Sequence, residues 1–179
     1  MPVPQILALP GMNSILDSTM TGKLSKVNYS SRYALGLFYD TSLDFLNGTQ
    51  YTKSDEVFAF VSNDPSKRQN PNQPISVVFL TTTSWGLKHL ETPIPEVEKI
   101  LTEQYKSRYP NWPQPSWVKC QRWRYSQVLQ PFEGCPKAVI LQDKPLLIAA
   151  GDGFVAQNAT VDGCIASAHS VMDILKSKL

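Results

Sequence analysis

Two short stretches hold residue types able to do chemistry. Residues 146–165 read LLIAAGDGFVAQNATVDGCI, with Asp152 between Gly151 and Gly153, and Asp162 directly before Gly163, Cys164 and Ile165. A carboxylate in a glycine turn just past a buried strand is placed to accept a hydrogen bond from a hydroxyl. If Asp162 caps the helix that follows, the free amides of Gly163, Cys164 and Ile165 suit a carbonyl oxygen or an anion, and Gly163 lets a ligand come close. The second stretch is VNYSSRYALGLFY (27–39), where Ala34 and Gly36 leave room on one face of a strand for a flat ligand. Both stretches also suit plain structure, because glycine turns, capped helices and small residues under a helix occur without any ligand.

Other chemistries find no support in the pattern. There is no GxSxG, HExxH or P-loop motif, and His89 and His169 are the only imidazoles. His169 is expected on or near the packed side of the last helix. Cys120, Cys135 and Cys164 are odd in number, widely spaced and without a CxxC pair. They indicate neither a disulfide framework nor a zinc site, and point to reduced thiols in the cytoplasm.

The elements that must position these residues follow from hydrophobic period. Ile15, Leu16, Met20 and Leu24 predict a helix within 12–25. In 27–39, Val27, Tyr29, Tyr33, Leu35, Leu37 and Tyr39 share one strand face, with Asn28, Ser30, Arg32, Ala34 and Gly36 on the other. Strands are expected at 56–64 and 75–83, joined by the proline-rich loop 65–74; the second is apolar on both faces and therefore central. Thr92 and Pro93 open a helix near 93–109 that buries Val97, Ile100, Leu101 and Tyr105 and stops at Pro110. Residues 117–128 read as one long strand, with Trp117, Trp123 and Tyr125 on one face and Arg122 and Arg124 on the other. Residues 137–141 and 146–151 form a hairpin or serve separate sheets. The last helix is expected to bury Ile165, Ala168, Met172 and Leu175, with Lys176 and Lys178 at the negative end of its dipole.

Composition bounds the class. A chain of 179 residues with 42% hydrophobic content can bury a core, and disordered and collagen-like classes are excluded. A formal charge of +2 without a long basic run suggests neither nucleic acid nor an anionic membrane as partner. The N-terminal MPVPQILALP is short, proline-broken and without a basic flank, so neither a signal peptide nor a membrane span is expected there. Sequons at Asn28, Asn47 and Asn158 then read as chance matches.

The strand SSRYALGLFYD, the segment KCQRWRYSQV, and AAGDGF followed by DGCIASA resemble, in that order, the C-terminal half of the renalase family within the flavin-containing amine oxidase fold group. The resemblance covers essentially the whole chain. It implies an α/β (α+β) fold, with a mixed β-sheet substrate domain and flanking helices at 1–140 and the C-terminal strand-turn-helix of an FAD-binding domain at 141–179. It implies an FAD-dependent oxidase that returns isomeric dihydro forms of NAD(P) to NAD(P)+, with oxygen as acceptor and hydrogen peroxide as product. On that resemblance, Gly151, Asp152 and Gly153 bind the ribityl or pyrophosphate region, and Asp162, Gly163, Cys164 and Ile165 meet the pyrimidine end of the flavin. Trp123 and Tyr125 line the substrate cavity, and Arg124 partners substrate phosphate. Cys135, in EGCP, lies in no setting that suggests covalent flavin attachment, which separates the chain from monoamine oxidases.

The family's βαβ unit with GxGxxG has no counterpart in this sequence. Met1 reads as an internal methionine of the family pattern, and the expected FAD site is incomplete. The chain is then either part of a flavin oxidase, impaired by itself, or a non-catalytic remnant that acts as a binding domain. Sheet edge and apolar surface left uncovered predict self-association.

Overall fold

The computed structural model describes residues 1–40, 48–52, 54–63, 75–156 and 160–178. The loop 65–74 and the sequon asparagines 47 and 158 lie outside them. In chain order the helices are α1 (Val3–Leu7), α2 (Met12–Ile15), α3 (Ser18–Ser25), α4 (Thr83–Lys88), α5 (Ile94–Arg108) and α6 (Val161–Lys178). The strands are β1 (Asn28–Tyr29), β2 (Arg32–Tyr39), β3 (Thr49–Tyr51), β4 (Phe58–Asn63), β5 (Ile75–Thr81), β6 (Trp117–Trp123), β7 (Val128–Gln130), β8 (Ala138–Asp143) and β9 (Leu146–Ala150). Contacts divide the chain into two compact units, residues 31–124 and residues 1–30 with 125–179. That division differs from one at 140/141: residues 1–30 and 125–140 pack with the C-terminal segment.

The unit 31–124 is a five-stranded sheet in the order β3-β4-β5-β2-β6, with helices on one face. Its pairings are all antiparallel, and β5 is the middle strand as its two apolar faces predict. Along β2 burial alternates strictly, so Tyr33, Leu35, Leu37 and Tyr39 enter the core while Arg32, Ala34, Gly36 and Phe38 stay partly open. Helix α5 lays Val97, Leu101 and Tyr105 onto that core. Its cap position is Pro93, without a side-chain bond, so Thr92 does not cap it.

Helix α4, which the sequence did not announce, lies against the start of β2. Thr82 caps it through the Trp85 amide, Trp85 meets the Tyr33 ring edge-on, and Tyr33 Oη donates to the His89 carbonyl at 2.8 Å. At the far side of the unit, Arg108 binds Asp55 through two guanidinium nitrogens, Nη2 at 2.9 Å. Burial pushes the Asp55 carboxyl up, but hydrogen bonds from Arg108 and from the amides of Phe58 and Val57 outweigh it and hold the group below the ordinary carboxylate value. The pair's stabilisation is therefore complete above about pH 4 and is lost as pH falls through the lower folded value. Asp55→Asn is expected to cost about 2 kcal/mol at neutral pH and progressively less as pH falls below about 4. Urea melts across that range check this.

The other unit is built from short pieces. Two helices, α2 and α3, replace the single one expected over 12–25, with Asp17 capping α3 by accepting from the Met20 amide at 2.6 Å. Strand β1 pairs with β7, and β8 with β9, both antiparallel. The hairpin alternative for 137–151 is thus the one adopted. Val3, Leu24, Val27, Tyr29 and Phe154 form the centre of its core. Among the described residues no helix is long and apolar enough to cross a membrane.

Candidate functional site

The Gly-Asp-Gly turn follows β9 as expected. Gly151 has φ +123°, a conformation open to glycine, and a Cβ built there would meet nothing within 4 Å. Asp152 begins a single 3-10 turn, Asp152–Phe154, with the Phe154 amide donating to the Gly151 carbonyl at 3.1 Å. Its carboxylate is exposed and has no hydrogen bond among the described residues. Gly153 serves packing instead: a Cβ there would stand 2.9 Å from Tyr29 Oη and 3.0 Å from Val3 Cγ2. Tyr29 in turn accepts from the Val3 amide at 3.2 Å and meets Tyr125 edge-on. Burial first, then the nearby Asp152 and Tyr125, raise the Tyr29 phenol, which the Val3 bond only partly offsets.

The start of α6 departs from expectation. The helix begins at Val161 and its cap is Thr160, whose hydroxyl accepts from the Gly163 amide at 3.2 Å and whose carbonyl accepts from the Cys164 amide at 3.1 Å. Asp162 lies inside the first turn, two residues past the cap. The amides of Gly163 and Cys164 are therefore occupied, and by helix geometry those without an intrahelical acceptor are Val161 and Asp162. The physical reason is that Thr160 and Asp162 are both good caps, and the helix took the earlier one. Gly163 still permits a close approach, by Val155, whose Cγ2 would be 3.2 Å from a Cβ.

The face that α6 buries is also different. Ser167 is 1% exposed, whereas Ile165, Met172 and Leu175 are 49%, 51% and 39% exposed; Ala168 and His169 are exposed too. The apolar stripe read as core is a surface. Helical period identifies a stripe but cannot say which neighbour covers it.

Trp123 ends β6, and Arg124 and Tyr125 follow it outside any strand. The long strand 117–128 breaks at 124–125 into β6 and β7, which belong to different sheets, so Trp123 lies in one unit and Tyr125 in the other. Strand β6 is an edge of its sheet, and Trp117 and Trp123 stand exposed on its open face. Arg124 is held by Glu91 through two bonds of 2.6 and 3.0 Å, and Arg122 donates to the Leu90 carbonyl at 2.6 Å. Cys120, on the covered face of β6, is buried; desolvation first, then Glu98, pushes its thiol up to about 12, so it is no nucleophile.

On the open face of the large sheet, β2 presents two small residues between larger neighbours, a trough in side-chain size. Its floor is Ala34 and Gly36 on β2, between Val78 and Leu80 of β5 and Lys119 and Gln121 of β6, read from the register. Trp117, stacked on Phe38 at 4.7 Å, stands at one end, and Trp123, opposite Arg32, at the other. A Cβ on Gly36 would approach the Phe38 ring to 3.3 Å. Arg32 donates to the Thr81 carbonyl at 2.9 Å, and burial lowers its guanidinium from the usual arginine value. Arg32 is the cation that sequence reasoning passed over. Its signal was position: it shares a strand face with Ala34 and Gly36.

A mixed α/β architecture of this kind is shared with solved oxidoreductases. One from Methanosarcina mazei superposes on 93% of this chain and 38% of its own, at 17% identity and a TM-score of 0.50. A protein classed as a protoporphyrinogen oxidase in an Exiguobacterium species covers 68% of this chain and 27% of its own, at 11% identity and a TM-score of 0.50. Over 98% of its length the chain is 39% identical to renalase of Mus musculus. It spans about half of that protein, 52%, and the match is to its C-terminal half. No protein-family model matches the chain.

Proposed function

We propose that this chain carries the substrate sheet and the flavin-side turn of a renalase-like, FAD-dependent oxidoreductase that oxidises isomeric dihydro forms of NAD(P) to NAD(P)+ with oxygen, releasing hydrogen peroxide. The observation that carries the reading is the 39% identity over nearly the whole chain, which includes both the trough strand and the Gly-Asp-Gly turn.

The residues present fit part of an FAD molecule. Open space over Gly151 and the unpaired carboxylate of Asp152 suit a hydroxyl-bearing chain such as the ribityl group. The start of α6 fits less well, because Thr160 occupies two of its amides and Asp162 adds a negative charge to its first turn. FAD, when bound, accepts the reducing electrons and hands them to oxygen. This chain's own residues bind and orient: Ala34 leaves room on the sheet face for a nicotinamide-type ring, beside the Phe38 ring that lies over Gly36, and Arg32, not the Glu91-bound Arg124, faces substrate phosphate.

Titration of the purified chain with FAD, followed by flavin fluorescence and visible absorbance, tests the reading. Uptake of FAD, and about tenfold weaker uptake by Asp152→Ala, are expected from the loss of a hydrogen bond to a charged group. A chain that stays colourless at saturating FAD overturns the claim that it holds the cofactor by itself.

A second reading, a non-catalytic interaction domain, is favoured by one observation, the exposed stripe of Ile165, Met172 and Leu175. On that reading the chain self-associates without FAD, and light scattering of the cofactor-free protein returns more than the monomer mass.

A further inference from the structure

One hydroxyl joins three segments around the Gly151–Phe154 turn. The Gly151 amide donates to Ser167 Oγ at 2.8 Å, and Ser167 donates onward to the Lys137 carbonyl at 2.5 Å. The Lys137 amide donates to the Phe154 carbonyl at 2.8 Å, and the Phe132 amide to the Gly153 carbonyl at 2.8 Å. Turn, loop 132–137 and helix α6 are thus closed into one circuit of backbone bonds through a single side chain.

That circuit holds unusual backbone. Within the loop, Gly134, Cys135 and Lys137 have φ of 78°, 47° and 69°. Positive φ at two residues that carry a Cβ is costly, and such conformations persist only where the surroundings over-determine them. Lys137 is held on both sides, by Phe154 at its amide and by Ser167 at its carbonyl. Ser167 is itself the most buried residue of α6. An alanine would fill that position as well for packing alone; a hydroxyl is required because a backbone donor and a backbone acceptor both face it.

We propose that Ser167 is the positioning residue of this site, fixing the Gly151–Phe154 turn, and with it the Asp152 carboxylate, relative to the start of α6. The same helix already touches the far end of the segment, where Gly163 packs on Val155. A ligand that reaches from Asp152 toward the helix start meets two groups whose separation is set by one hydroxyl. That ligand is FAD on the reading above, and the positioning role rests on it only for the ligand's name.

Amide hydrogen exchange on the intact chain separates the two claims. In Ser167→Ala the Gly151 amide is left without its acceptor, so its protection is expected to fall at least about tenfold while amides of β8 and β9 hold theirs. Ser170→Ala, on the same helix, leaves Gly151 unchanged. If the native chain takes up FAD, Ser167→Ala binds it about tenfold more weakly. Unchanged protection at Gly151, an equal loss across the whole unit, or equal FAD affinity of the two chains overturns the proposal. A native chain that takes up no FAD but shows the exchange contrast removes the flavin reading and leaves the positioning role in place.

Discussion

Gly86→Ala is expected to destabilise the unit 31–124 strongly. A Cβ at position 86 would stand 2.2 Å from the Ser31 carbonyl oxygen, 2.7 Å from its carbon and 2.9 Å from Arg32 Cα. All three are backbone atoms, so no rotamer change makes room. Helix α4 would have to lift from the start of β2, breaking the bond from Tyr33 Oη to His89 and the edge contact between Trp85 and Tyr33. Overpacking of this kind costs about 3 kcal/mol or more against a stability of about 5–15 kcal/mol for a domain. Thermal melting by circular dichroism checks it: Gly86→Ala should melt at least about 12 °C below the native chain. A melt within a few degrees would show that α4 can shift without loss.

Phe79→Ala is the second large effect. Phe79 is 1% exposed in the middle of the central strand, and its ring meets those of Phe58 at 4.8 Å, Tyr109 at 5.6 Å and Trp112 at 5.9 Å. Removing it leaves a cavity ringed by rigid aromatics that cannot collapse inward, so the loss belongs at the upper end of about 3–5 kcal/mol. Val78→Ala, one residue away on the open face, should cost under about 1 kcal/mol. The contrast between these neighbours in urea titrations tests the assignment of covered and open faces. Equal losses would mean that the trough face is covered after all.

The trough and the turn were legible to different degrees. Ala34 and Gly36 stood out because small residues alternate with Tyr33, Leu35 and Leu37, and a period of two admits one face assignment. The Gly-Asp-Gly turn was legible because glycines beside an acid end a buried strand. Arg32 and Arg124 could not be ranked from the sequence. Each is an arginine on or beside a strand, and only the folded structure shows Glu91 holding Arg124 while Arg32 keeps the trough face.

What the sequence determined by itself is local: the alternation of β2, the central place of β5, the stripe of α5, the glycine turn, and the resemblance those stretches carry. Tertiary structure decided where the chain changes sheets. Residues 27–39 and 117–128 each read as one strand, yet each divides, between Ser30 and Ser31 and after Arg124, because extended backbone looks alike whichever sheet supplies its partners. At the first division the Ser30 amide and carbonyl bond Gln127 and Ser126, while Arg32 already pairs with Trp123. It also decided which side of α6 is core. The stripe from Ile165 to Leu175 and the side bearing Ser167 are both consistent with a helix, and the polar side won because Gly151 and Lys137 present a donor and an acceptor that only a hydroxyl satisfies together.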